Sequence, residues 1–150
     1  MNDSGIVSLT IGAESASQKV LETMNKKSNY QNVPKALRLI QKAGIKTGTY
    51  WLIGHPGSSI KEERKTRDAI EGLLINDLSD YYEVKIYIPF PGTKSSKDAR
   101  IISLDPDFSN FTFDADNPVY NLNNFSAKDI KRAYLEIMEV LYKYGKKNVD

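Results

Sequence analysis

Cysteine is absent from the 150 residues. No disulfide can form, and no thiolate is available to hold zinc or an iron–sulfur cluster. A single histidine, His55, leaves zinc and non-haem iron dependent on carboxylates alone, and the acids are not gathered at ligand spacing. No metal site is expected. No apolar run exceeds five residues, Tyr50 to Ile53 being an example, so no segment reads as a membrane span. The opening Met1-Asn2-Asp3-Ser4 offers neither a basic nor an apolar leader, and the expected location is cytoplasmic. Neither sign of charge dominates. The formal net charge is +2, and basic doublets such as Lys26-Lys27, Lys131-Arg132 and Lys146-Lys147 are scattered. That is a solvated surface, not a nucleic-acid stripe.

The composition, 40% hydrophobic and 27% charged, suits one globular domain with one core. Residues 6–11, Ile-Val-Ser-Leu-Thr-Ile, alternate branched and small hydroxylated side chains, which predicts a strand. Ser17 then caps a short helix carrying Val20, Leu21 and Met24. Pro34 opens a second helix whose expected buried face is Ala36, Leu37, Ile40 and Ala43, and Gly44 closes it. A second strand is expected over Lys46 to Ile53, followed by the turn Gly54-His55-Pro56-Gly57. Ser59-x-x-Glu62 reads as a capping box for a helix burying Ile60, Ala69, Ile70, Leu73 and Leu74. A third strand runs from Tyr82 to Ile88. Val84, Ile86 and Ile88 share one face, and Glu83, Lys85 and Tyr87 share the other.

Residues 94–125 read as irregular, yet Phe108, Phe111, Phe113 and Phe125 imply a loop packed on the body. Ser126-x-x-Asp129 caps a last helix, with an apolar stripe of Ile130, Ala133, Tyr134, Ile137, Met138, Leu141 and Tyr142. Strands alternating with helical connections predict parallel pairing. Each strand has one apolar and one mixed or polar face, which favours a barrel wall over a doubly wound sheet. The expected fold is therefore α/β: an incomplete parallel (β/α) barrel arc of about three strands, helices outside, plus a C-terminal helix.

Each strand ends in a distinctive sequence, where α/β proteins place ligands. Glu14 after the first strand suits either a helix-end charge or a ligand contact. Gly54 to Gly57 is either a tight turn or a backbone cradle, and His55 by itself is a polar turn residue. Pro89-Phe90-Pro91-Gly92-Thr93 is a strand stop. Inward-facing Glu83, Lys85 and Tyr87 are either salt-bridged wall residues or specificity positions.

Taken together and in order, these segments resemble radical S-adenosylmethionine (SAM) enzymes. Glu14-Ser15-x-Ser17-x-x-Val20-Leu21-x-x-Met24-Asn25-Lys26 resembles the stretch after the fourth barrel strand. Gly44-Ile45 through Ile53-Gly54-His55-Pro56-Gly57, with Glu62-Glu63 and Thr66, resembles the fifth strand and its helix. Ile88 to Thr93 resembles the end of the sixth. The Glu-Ser and Pro-Phe-Pro-Gly-Thr forms look most like the subgroup that often carries a cobalamin-binding domain upstream.

The resemblance implies residues 1–100 as the C-terminal part of the barrel and residues 101–150 as a loop and closing helix packed on it. It implies a partial SAM site of Glu14, Ser15 and Lys26 with the backbone of Leu52, Ile53 and Gly54, and substrate-facing Tyr50, Glu83, Lys85 and Tyr87. Tyr50 stands where some relatives carry an aspartate. The family's 4Fe–4S cluster is held by a cysteine triad that this sequence does not contain. The expectation is thus a C-terminal fragment, inactive alone, whose partner is the missing N-terminal barrel half or a second copy. The other readings are a non-catalytic α/β binding or interaction module derived from such a barrel, and a small stand-alone α/β domain holding a phosphate or nucleotide at the Gly54 turn.

Overall fold

In the computed structural model, residues 5–112 and 117–146 are described. Phe113, Lys147 and the first four residues lie outside them. Three strands, β1 (Ser8–Glu14), β2 (Lys46–Ile53) and β3 (Tyr81–Ile86), form one parallel sheet in the order β1-β2-β3. Between them run α1 (Gln18–Thr23), α2 (Val33–Lys42) and α3 (Ile60–Ile75), and α4 (Ala127–Lys143) closes the chain. The fold is mixed α/β with a three-stranded parallel sheet, as expected. Among the described residues, no helix is long and apolar enough to cross a membrane.

The second strand has the expected bounds, and the first and third are shifted. β1 begins at Ser8, because Lys46 N–H already donates to Val7 O at 3.1 Å while Ile6 and Val7 remain exposed. It continues past Ile11 because Gly12 still pairs with Tyr50, and an irregularity between Gly12 and Glu14 lets Glu14 pair with Trp51. β3 ends at Ile86, two residues short of the expected Ile88, although Tyr87 N–H still reaches Ile53 O at 2.8 Å.

Local chemistry sets the helix ends. Ser17 accepts from Val20 N–H at 3.4 Å, and Gly44, at φ +71°, takes the left-handed step after α2. The box at α4 is complete, with Ser126 and Asp129 bonded reciprocally. At α3 only half of the expected box is seen. Ser59 accepts from Glu62 N–H, but the Glu62 carboxylate turns to the Ser17 hydroxyl and to Lys65 Nζ at 2.8 Å. It thereby ties the start of α3 to the cap of α1.

The core lies on one face of the sheet. Trp51, Ile53, Tyr82, Val84 and Ile86 meet Leu37, Ile70, Leu73, Ile130, Ile137 and Leu141 from the helices. Each fully buried aliphatic side chain there contributes about 1.5–3 kcal/mol. The faces of α2 and α4 are narrower than expected. Ala36, Ile40 and Ala43 are only partly buried, and Tyr142 is 86% exposed. At about 100° per residue, Leu141 falls roughly 20° from the line of Ile130, whereas Tyr142 falls roughly 120° away. The stripe therefore ends at Leu141.

The segment expected to be irregular contains a hairpin. β4 (Ile101–Leu104) and β5 (Tyr120–Leu122) pair antiparallel, Ile101 with Leu122 and Leu104 with Tyr120. As expected, the segment packs on the body: Phe111, Tyr120, Leu122 and Phe125 join the same core as the sheet. Phe108 is instead 62% exposed, edge-on to Phe111 at 5.5 Å.

Candidate functional site at the strand ends

The sheet face turned away from the core is polar and built in rows. At its N-terminal end, the Thr10 Oγ1 and Tyr81 hydroxyls meet at 2.6 Å across Gly48. A Cβ on Gly48 would lie 2.0 Å from the Tyr81 ring, so only glycine admits this crossing. One row further, Tyr50 lies between Gly12 and Glu83. Burial first, then the Glu14 and Glu83 carboxylates, push its phenol up. In the next row Leu52 pairs with Lys85. Thr10 is exposed and Tyr81, Tyr50, Glu83, Leu52 and Lys85 are half-buried, so the face is reachable from outside.

Glu14 and Lys26 come together at the C-terminal end of β1. Glu14 has φ +61°, and the irregularity at that point directs its carboxylate to Lys26. Asn25, at φ +55°, reverses the chain after α1, and Lys26 N–H closes the reversal on Leu21 O at 2.9 Å. Lys26 Nζ then reaches Glu14 Oε1 at 2.8 Å and Gly12 O at 2.6 Å. The Glu14 side chain keeps 21% of its surface and that of Lys26 keeps 32%. Lys26 also borders a shallow concavity of about 470 Å³ with Asn25, Asn29 and Asn32.

Other expected site residues sit elsewhere. Ser15 is buried, shares a 3.2 Å hydrogen bond with Thr66 and accepts from Ser17 N–H, so its hydroxyl faces α3. Ile53 has its side chain in the core and its carbonyl on Tyr87 N–H. Both main-chain groups of Gly54 have protein partners. Its N–H donates to Glu63 Oε1 at 2.8 Å, and its carbonyl accepts from the Tyr120 hydroxyl at 2.5 Å. The glycine itself is dictated by packing. Its φ is +87°, and a Cβ would meet the Tyr120 hydroxyl at 2.5 Å and Ile130 at 2.8 Å.

Four residues around this turn were not among the expected site residues: Tyr120, Asp98, Arg100 and Glu63, the last named only within the resembling segment. Glu63 is 2% exposed and also accepts from the Ser58 hydroxyl at 2.6 Å. Burial outweighs those hydrogen bonds and raises its carboxyl to about 7. A signal for it exists, since Glu63, Thr66, Ile70 and Leu73 lie on one helical stripe. Tyr120 and Arg100 sit in the segment read as irregular and gave no such signal. Arg100 clasps Asp98 through Nε at 2.7 Å and the terminal nitrogen at 2.5 Å, holding that carboxyl down at about 2. His55 touches Tyr87 edge-on at 4.8 Å, and Tyr87 stands 6.0 Å from Tyr120.

Among the described residues, no group of His, Asp or Glu is placed to hold a metal. No known protein-family model matches the chain. An uncharacterized protein of Methanopyrus kandleri is 28% identical over 64 residues, which cover 43% of this chain and 12% of that protein. The likeness therefore extends to a small part of a much longer relative.

Proposed function

We propose that the chain is part of a radical SAM-type barrel, contributing one side of the SAM pocket and the substrate-facing wall. The three-stranded sheet is then an arc of that barrel, with residues 101–150 packed on it. The supporting observation is the Glu14–Lys26 pair, 2.8 Å apart at the end of β1 and beside Tyr50 on the polar face. An acid and an ammonium in contact can exchange partners with a zwitterion: Glu14 would take the ammonium of the methionine end of SAM, and Lys26 its carboxylate. Bound SAM, reductively cleaved to methionine by one electron from an iron–sulfur cluster held outside this chain, would supply a 5′-deoxyadenosyl radical able to abstract hydrogen from substrate. Tyr50, Glu83 and Lys85 would line the space that substrate enters.

The iron–sulfur cluster does not fit these residues, because the chain has no thiolate. Its ligands would have to come from another part of the barrel. The edge of β1 is the place for that part, or for a second copy, to add. The strand is neutral from Ser8 to Ala13, and α4 packs against α3 and the β2–β3 side of the sheet. This open edge also favours the second reading, an interaction module that does no chemistry itself.

Titration of the ¹⁵N-labelled chain with SAM tests the proposal. Half a pocket should bind at about millimolar strength, roughly 4 kcal/mol. Amide shifts should concentrate at Gly12, Glu14, Lys26 and Tyr50 and vanish in Glu14→Ala. No shifts at those amides at tens of millimolar SAM, or shifts that survive Glu14→Ala, would reject it.

A further inference from the structure

His55 projects from the turn after β2, on the same strand-end rim, and nothing above uses it. Its Nδ1 lies 2.7 Å from Pro56 O. A carbonyl oxygen only accepts, so Nδ1 carries the proton and Nε2 of the neutral ring is bare. Among the described residues Nε2 has no hydrogen-bond partner, and it is not among the buried polar atoms left without one, so it keeps some contact with solvent. The Tyr87 ring fixes the imidazole from the side. Burial, more than any charge, keeps the ring below its ordinary 6.5. The charged groups facing it are Arg100, which lowers the pKa further, and Asp98, which raises it. Those two are bound to each other, so their fields largely cancel.

We propose that His55 is a proton-accepting site on the strand-end rim, taking a hydroxyl or N–H group of a ligand at Nε2. In that step an N–H bond forms at Nε2 as the ligand's O–H or N–H bond breaks, the electron pair staying on the ligand. The inference stands on the geometry of the turn and does not depend on SAM.

Being the sole histidine, His55 can be read directly. Long-range ¹H–¹⁵N correlation spectra should show the Nδ1–H tautomer and a midpoint below 6.5. Adding 4-cyanophenol, an O–H donor, should move the Nε2 resonance upfield and leave Nδ1 in place. Diethyl pyrocarbonate should add one ethoxyformyl group to the ring, more slowly at about pH 5 than at about pH 7.5 but by less than the roughly thirtyfold ratio of an ordinary imidazole. His55→Gln, checked for fold by circular dichroism, should lose the imidazole adduct. An Nε2–H tautomer, an Nε2 resonance unmoved by the phenol, or a ring that reacts only after unfolding in urea would each overturn the proposal.

Discussion

Glu63 offers a measurement in which burial and hydrogen bonding oppose each other. The carboxyl is 2% exposed and accepts from Gly54 N–H and the Ser58 hydroxyl. Those bonds favour the anion, yet desolvation wins and lifts the group from 4.5 to about 7. A folded-state pKa above the unfolded one means that the native state holds the extra proton between those values. Stability is thus fully present below about pH 4.5 and declines as pH rises through about 7. A shift of that size corresponds to about 3 kcal/mol. Glu63→Gln keeps the accepting oxygen and removes the titration. Urea unfolding of both proteins should give a wild-type-minus-variant difference that falls by about 3 kcal/mol between pH 4.5 and pH 8. Taking the difference cancels titrations elsewhere in the chain. A difference that stays flat across that window, or that favours wild type at high pH, would refute the claim that desolvation dominates.

Three further outcomes are expected. Gly48→Ala should cost about 1–2 kcal/mol by thermal unfolding, because expelling the Tyr81 ring outweighs the gain in strand propensity; an unchanged or raised midpoint would contradict the crossing. Tyr120→Phe should cost about 1–3 kcal/mol by leaving the Gly54 carbonyl without its partner, and a cost under a few tenths would show that the bond is not needed. Light scattering over a concentration range should find masses above 16.9 kDa through the β1 edge; a monomer at high concentration, with Ile11 strongly protected from amide exchange, would exclude association there.

The sheet was legible because its signals are local. Alternation in Tyr82 to Ile86, the full β2 run, the caps Ser17 and Ser126 and the glycine after α2 each depend on a few neighbouring residues. The hairpin was not. Its strands are four and three residues long, fifteen residues separate them, and their pairing is defined only by packing against the body. The same contrast divides the site. The polar-face residues of β3 follow from strand parity, whereas Glu14 is placed by an irregularity that parity does not show and the partners of Gly54 come from α3 and β5. Backbone cradles and closed turns look alike in sequence. What separates them here is that Glu63 and Tyr120 already hold the Gly54 peptide.

Magnitudes bear on whether Glu14 is merely part of the scaffold. A non-glycine residue at φ +61° costs about 1–2 kcal/mol in backbone strain. Its ion pair with Lys26 is partly exposed, and such pairs return at most about 1 kcal/mol. Glycine at this position would relieve the strain and lose only the pair, so stability alone would favour glycine over glutamate. Gly12 and Gly48 show that the polar face carries glycine where a neighbouring side chain crowds the backbone, the Glu14 carboxylate at Gly12 and the Tyr81 ring at Gly48. At position 14 the chain instead carries a strained carboxylate, directed onto an ammonium from a reversed helix end and left reachable. Neither the sheet nor the core accounts for that choice. A charged ligand exchanging into the Glu14–Lys26 pair, as proposed above, would account for it, and the SAM titration at Gly12, Glu14 and Lys26 is the measurement that decides it.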